Sequence, residues 1–262
     1  MNILVTGSNG YIGSSIKRSF INCSLLSNSY NITYINRELL DLCDTAATNN
    51  FFINTSFDVV IHTAASGGNR LEAESGSILD NNLLMYYNLL NNRQHFNKFI
   101  YFGSGAEFFN PPTMYSLSKQ VIYNSILDKN NFYNIRIYGV FNEDELDRRF
   151  IKKAIINKKN NRSIVINKDT LMDFIYMEDL LKLIDYYITN NDMPKSIDCT
   201  YKETYKLTEI ADFINSLGSK VDVTVKQTGL DTYCGKYNTF LEKINYIGLK
   251  AGIVDTYNTV AI

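Results

Sequence analysis

Tryptophan is absent, and proline, cysteine and histidine are scarce: three Pro, four Cys and two His in 262 residues. The cysteines, Cys23, Cys43, Cys199 and Cys234, show no CxxC spacing. That argues against a disulfide frame or a thiolate metal site and fits reduced thiols. His62 and His95 form neither HxxxH nor HExxH, so no zinc or other metal site is expected. Net charge is −1, from 26 Lys and Arg against 27 Asp and Glu, with no long block of either sign. Such a balance makes no surface for nucleic acid or anionic lipid. No apolar run approaches the ~20 residues that span a bilayer. The run "NILV" (Asn2–Val5) is too short for a signal-peptide core and lacks a basic flank. These absences point to a cytoplasmic chain that binds neither nucleic acid nor membrane.

What is present is an alternation. The runs "NILVTG" (Asn2–Gly7), "NITYIN" (Asn31–Asn36), "DVVIHTA" (Asp58–Ala64), "KFIYFGS" (Lys98–Ser104) and "YNIRIYGV" (Tyr133–Val140) read as strands. Between them, "YIGSSIKRSFI", "ILDNNLLMYYNLLNN" and "MYSLSKQVIYNSILD" repeat apolar residues at helical spacing. Strands joined by helices of this length imply right-handed βαβ units and an α/β, doubly wound parallel sheet of Rossmann type. After Val140, "FNEDELDRRFIKKAIINKKNNRS" reads as charged and helical, and the tail from Lys195 as a smaller mixed unit. The division expected is residues 1–142 with 171–193 as a dinucleotide-binding domain. Residues 143–170 with 194–262 would form a smaller mixed α/β substrate-binding lobe.

"TGSNGYIG" sets Gly7, Gly10 and Gly13 directly after the first strand and at the opening of a helix. Glycine there permits a sharp turn and lets a pyrophosphate approach the main chain, while the helix N-terminus offers N–H donors. Asn9, Tyr11 and Ile12, between the glycines, are expected at the same cofactor. At the end of the second strand, "YINRELLD" has Asn36 where NAD-binding chains carry an acid, followed by Arg37. Arg37 can pair with a 2′-phosphate, which favours NADP(H), although a surface arginine capping a loop would look the same. Asp41 and Leu42 would flank the adenine, and Asp44 reads as an N-cap.

"YSLSK" spaces Tyr115 and Lys119 four apart on a predicted helix, hence on one face. A neighbouring ammonium lowers a phenol's pKa from ~10 and makes tyrosine a usable acid or base. The motif is not specific, because "YIGLK" supplies Tyr246 and Lys250 as a second copy. Context separates them. Tyr115 follows Ser104, which ends a strand at the sheet edge where ligands of doubly wound folds sit. Tyr246 has no such strand and serine before it and reads as structural.

Together "TGSNGYIG", "HTAAS" (His62–Ser66), Asn82, Ser104, "YSLSK" and "MDFIYMEDL" (Met172–Leu180) resemble the extended short-chain dehydrogenase/reductase family. This is the NAD-dependent epimerase/dehydratase superfamily of nucleotide-sugar enzymes. "NRELLDLCD" and "HTAASGG" are most similar to its GDP-L-fucose synthase-like keto-sugar reductases. The resemblance implies Tyr115 as acid/base, Lys119 on the nicotinamide ribose, and Ser104 on the reacting carbonyl oxygen. It implies Ala64 and Ala65 along the cofactor, and Ser66 and Asn82 near the substrate. It further implies a homodimer through the two helices "LLMYYNLL" and "VIYNSIL". His62 reads as a packed strand-end residue rather than a catalyst.

Departures from the family narrow the chemistry. Ala106 stands where fucose synthases carry a cysteine, and Arg149 about where they carry a histidine, so the expectation drops carbon epimerisation. Dehydratases carry Asp and Glu right after the catalytic Thr; here Gly105 and Ala106 follow Ser104, and Glu107 comes one place later. Met172 replaces an arginine that usually meets the diphosphate, a task Arg148 or Arg149 could take, unless both lie on a solvated helix face. The expectation is an NADPH-dependent C4 reductase of a nucleotide-diphosphate 4-keto-6-deoxyhexose. A 4-epimerase holding NAD(P) tightly and a non-catalytic NADP sensor are the alternatives.

Overall fold

A computed structural model of the chain describes residues 1–22, 30–68 and 76–261. Cys23 therefore lies outside the described residues; Cys43, Cys199 and Cys234 are free thiols. In chain order the first elements are β1 (Asn2–Thr6), α1 (Tyr11–Asn22), β2 (Asn31–Ile35), α2 (Thr45–Ile53), β3 (Phe57–His62) and α3 (Ser77–Asn91). There follow β4 (Phe96–Ser104), α4 (Met114–Leu127), β5 (Phe132–Ile137), β6 (Val140–Phe141) and α5 (Phe150–Lys159). The remainder is β7 (Ile164–Met172), β8 (Ile175–Tyr176), α6 (Met177–Thr189), β9 (Ser196–Asp198), β10 (Tyr205–Lys206), α7 (Leu207–Asn215), β11 (Val223–Tyr233) and α8 (Leu249–Thr259).

Contacts divide the chain into two units. The first comprises Met1–Arg136 and Tyr187–Ile197, and the second Ile137–Tyr186 and Asp198–Ile262. The division expected from the sequence differs: it places 137–142 and 171–186 with the first unit and 194–197 with the second. The first unit is built on a six-stranded sheet in the order β2-β1-β3-β4-β5-β9. β1 runs parallel to β2 and β3, and β3 parallel to β4. This is the doubly wound α/β sheet that the alternation of strands and helices predicts. Its strands are near-continuous apolar runs because both faces are covered: Ile3, Leu4 and Val5 of β1 are wholly buried, as are Val60 and Ile61 of β3. One core cluster joins Leu4, Val60, Tyr86, Phe99 and Ile122, and so ties α3 and α4 to the sheet.

Polar groups hold the helix ends. Asp44 caps α2 by accepting the N–H of Ala47, as its position before the helix suggests. Lys98 of β4 is buried, and its Nζ donates to the carbonyls of Tyr187, Ile188 and Asn190, the last turn of α6 and the residue after it. A lysine there suits the negative end of a helix.

Two expectations are corrected here. The strand read over Tyr133–Val140 breaks after Ile137, and Val140–Phe141 pairs with β8 in a separate two-stranded sheet. At the break, Gly139 lies against Phe174; a Cβ would approach that ring to 2.7 Å. The helix read through "FNEDELDRRF" begins only at Phe150. Asn142 explains the delay, since its Oδ1 accepts the N–H of Asp144 and its C=O accepts the N–H of Glu145, which turns the chain. The second unit also contains a three-stranded sheet, β10-β7-β11, packed by Ile155, Ile164, Ile210 and Ile253.

Candidate active site

The first unit's strand order reverses between β1 and β3, the place where open α/β sheets bind ligands at their carboxyl ends. Gly7 leaves β1 with φ +67°, a conformation that side chains disfavour, and a Cβ there would sit 2.5 Å from the Ala64 nitrogen. Gly10 closes the turn by donating its N–H to the Gly7 carbonyl at 2.9 Å. A Cβ on Gly13 would meet that same carbonyl at 2.4 Å. Thr63 seals the turn from β3, its Oγ1 donating to Thr6 O at 2.6 Å and reaching Gly7 O at 3.2 Å.

Beside the turn opens a cleft of about 300 Å³. Gly7, Asn9 and Gly10 form one wall, Asn36, Arg37, Asp41 and Leu42 a second, and Ala64, Ala65 and Ser66 a third. Tyr11, Ile12 and Gly13 are not on its lining; they form the first turn of α1. Ile35, Leu40, Cys43, Thr63, Asn81 and Met85 complete the cleft and were not singled out in the sequence. Each belongs to a strand end, a short turn or a helix face, where an apolar or small residue reads equally well as core. The glycine turn, the main-chain wall and the start of a helix fit a dinucleotide.

At the outer wall, Arg37 is 82% exposed and its Nε pairs with Asp41 Oδ2 at 3.2 Å. Asp41 is held below the ordinary carboxylate range, first by the Cys43 N–H that its Oδ1 accepts and then by Arg37. Asn36 acts locally: its Oδ1 accepts the N–H groups of Glu38 and Leu39.

Ser104 ends β4, and its Oγ accepts the N–H of Ala106 at 3.2 Å. α4 begins after the capping box of Thr113 and Ser116, which sets Tyr115 in the first turn and Lys119 one turn on. Lys119 is buried; its Nζ donates to Phe102 O at 2.7 Å and lies 4.4 Å from the Tyr101 ring centroid and 5.5 Å from that of Tyr115. Burial draws its pKa down to about 8, against the opposing field of Glu107. The structure thus brings Tyr115 and Lys119 together in the same unit and at the same sheet edge as Ser104. Gly68 closes over the tyrosine, and a Cβ there would come within 3.0 Å of its Cζ.

His62 is buried, shares a 2.7 Å hydrogen bond between its Nδ1 and Thr6 Oγ1, and stacks on Tyr101. Burial, helped by Lys119, depresses it to about 3, so it is a neutral packing residue at pH 7. Asn82 is likewise buried. Its Oδ1 accepts the Ser66 N–H at 2.7 Å, and its Nδ2 donates to Ser66 O and Ser118 Oγ, each at 3.0 Å. Asn82 therefore holds the Ser66 main chain in place. Arg149 belongs to the second unit, exposed in the turn before α5, and Arg148 beside it is exposed too. Neither lies on a helix face.

Behind Ser104 stands a buried ion pair. Glu107 Oε2 meets Arg136 Nε at 2.7 Å, with the two side chains 0% and 6% exposed. Its readable signal was Ser104-x-x-Glu107, the spacing of a capping box. The second YxxxK dissolves: Tyr246 precedes α8, so it shares no helix face with Lys250. Tyr246 meets Tyr201 edge-on at 5.5 Å, and Lys250 lies over Tyr205.

Among the described residues no helix is long and apolar enough to cross a membrane. No curated sequence relative was found. Solved structures match the fold over nearly the whole chain. ADP-L-glycero-D-manno-heptose-6-epimerase from Helicobacter pylori matches with TM-score 0.80 and 17% identity, over 99% of this chain and 96% of that one. GDP-L-fucose synthetase from Naegleria fowleri gives 0.79 and 17%, over 98% and 92%. GDP-mannoheptose C4 reductase from Campylobacter jejuni, with NADP bound, gives 0.75 and 18%, over 98% and 97%. Structures of this likeness have been solved with NAD as well as NADP. The fucose-synthetase likeness expected from the sequence is thus one among several of equal strength. The sequence profile of the NAD dependent epimerase/dehydratase family matches residues 3–200, and the chain belongs to that family.

Proposed function

We propose that this chain is an NADPH-dependent reductase of the C4 ketone of a nucleotide-diphosphate 4-keto-6-deoxyhexose, without epimerisation at C3 or C5. The observation that carries the reading is the buried ammonium of Lys119 beside the Tyr115 ring, in the unit whose strand β4 ends in Ser104. Bound NADPH would supply the hydride for the ketone carbon. Ser104 would donate a hydrogen bond to the ketone oxygen, and Tyr115 would give that oxygen its proton. The Lys119 ammonium beside the ring would stabilise the phenolate that the transfer leaves behind. Gly7, Asn9 and Gly10, with Tyr11, Ile12 and Gly13 of the first turn of α1, would take the pyrophosphate on main-chain N–H groups. Asp41 and Leu42 would flank the adenine.

Arg37 supports NADPH over NADH. It stands exposed on the cleft wall, and the Asp41 carboxylate beside it is turned to Arg37 itself and to the Cys43 N–H. Dehydration is disfavoured because Glu107, the nearest acid after Ser104, is tied to Arg136. Carbon epimerisation is disfavoured because Ala106 has no acidic or basic group to remove or return a ring proton. The second unit is assigned to the substrate, with Arg149 as the candidate for the diphosphate. A homodimer through α3 and α4 is supported by Leu84, Tyr87 and Leu127, which those helices expose. The cytoplasm is the proposed location.

The test is NADPH consumption with freshly generated CDP-, dTDP-, GDP- and UDP-4-keto-6-deoxyhexoses, beside Tyr115→Phe and an NADH control. Turnover with one nucleotide, lost in the variant, supports the reductase and names its donor. Tight cofactor binding with no consumption on any of them overturns it in favour of a 4-epimerase or a sensor. The solution mass decides the dimer.

A further inference from the structure

We infer that Glu107, held by Arg136, is a positioning residue for the proposed reduction: its carboxylate fixes the main chain of Ser104 and stands as the counter-charge behind Lys119. The inference rests on the functional reading above. Glu107 Oε1 accepts the Ser104 N–H at 3.1 Å and Asn134 Nδ2 at 3.4 Å, while Oε2 takes the Arg136 Nε at 2.7 Å. The guanidinium carbon lies over two rings, Phe108 at 4.6 Å and Tyr123 at 4.8 Å from the centroids. Gly103 makes the room, since a Cβ there would fall 2.1 Å from Glu107 Oε1. One carboxylate thereby links the end of β4, which carries Ser104, to β5, which carries Arg136.

Stability alone does not account for such a pair. A buried ion pair is often no better for folding than apolar residues of the same volume. What Glu107 supplies when ionised is a negative charge near Lys119; burial raises its pKa, and Arg136 and the Ser104 N–H work against that rise. Glu107 Oε1 takes the N–H of Ser104, two residues along β4 from the Phe102 carbonyl that takes Lys119 Nζ. The charges acting on it are those of Arg136 on β5 and Lys119 on α4, with Tyr101 of β4 also in its field. Lys119 in turn faces Tyr101 and Tyr115, and His62, which is neutral at pH 7. Burial works against the ammonium and Glu107 works for it.

The test needs no substrate. The Lys119 Nζ is titrated by NMR in cofactor-free protein, with Lys119→Met to assign the signal, and compared in Glu107→Gln, which keeps the side-chain shape and its acceptor oxygen. Loss of the charge is expected to move the Lys119 titration down by about half a pH unit or more. On whichever keto-sugar is turned over, kcat should fall ~10-fold with KM for NADPH within ~2-fold. A folded Glu107→Gln protein with lower Tm but unmoved Lys119 titration overturns the inference and leaves the pair purely structural. Should Glu107→Gln alone fail to fold, the double variant Glu107→Gln with Arg136→Gln is compared with Arg136→Gln, so that the difference between their Lys119 titrations isolates the carboxylate, and no difference overturns the inference. Wild type inert on every keto-sugar would overturn the reductase reading instead, while the titration still decides the role of Glu107.

Discussion

Lys119 Nζ donates to the carbonyl oxygen of Phe102 at 2.7 Å, from a side chain closed to water. That contact fixes the ammonium one helical turn from Tyr115 without a carboxylate to neutralise it directly. Because burial lowers its pKa to about 8, the charge is present below that pH and lost above it. Turnover should therefore fall on an alkaline limb near pH 8. The pH profile of kcat measures it, and a flat profile to pH 9.5 would contradict the assignment.

The backbone at Gly68 presses on the working end of Tyr115. Gly68 has φ +81°, and a Cβ there would lie 3.0 Å from Cζ and 3.3 Å from Oη. Gly68→Ala should cut kcat by ~10-fold or more through displacement of the phenol. NADPH affinity should fall less than kcat, because neither Gly68 nor Tyr115 lines the cleft that would hold the adenine half of the cofactor. Fluorescence titration with NADPH reads this cleanly in a chain without tryptophan.

Arg37 is the proposed discriminator between dinucleotides. Removing a charge-assisted contact to phosphate costs about 1.5–3 kcal/mol, or ~10–100-fold in affinity. Arg37→Ala should weaken NADPH by that factor and leave NADH unchanged. Equal losses for both would make the residue a loop cap for Asp41.

His62 predicts how stability depends on acid. Its folded pKa of about 3 lies below the ordinary 6.5, so the unfolded chain binds more protons between those values. Its contribution is complete above pH 6.5 and is lost as the pH falls toward 3, at up to ~1.4 kcal/mol per unit. Urea unfolding at pH 7.5 and 5.0 should show the loss, and His62→Gln should flatten the slope although it lowers stability overall. An unchanged slope would assign the acid sensitivity to carboxylates.

Local rules were sufficient for much of this chain. Apolar runs of strand length, separated by helix-period segments, determined the doubly wound sheet. The spaced glycines after β1 determined the turn, because only residues without a Cβ fit against Ala64 and the Gly7 carbonyl. Cleft and strand-end positions such as Arg37, Asp41, Ala64 and Ser104 were legible because each sits at a fixed offset from its strand. Tertiary structure alone decided the rest, for three physical reasons. Whether a predicted strand or helix keeps its length depends on what packs against it, as where the strand from Tyr133 breaks at Gly139 against Phe174. Whether a polar residue offers its atoms to a ligand or to its neighbours depends on packing, as with Asn82 clamping Ser66 and Asn36 capping Glu38 and Leu39. Whether an acid stays ionised and useful depends on what is buried beside it. Glu107 and Arg136 are 29 residues apart in sequence, and only the pairing of β4 and β5 within the sheet brings that carboxylate to its guanidinium.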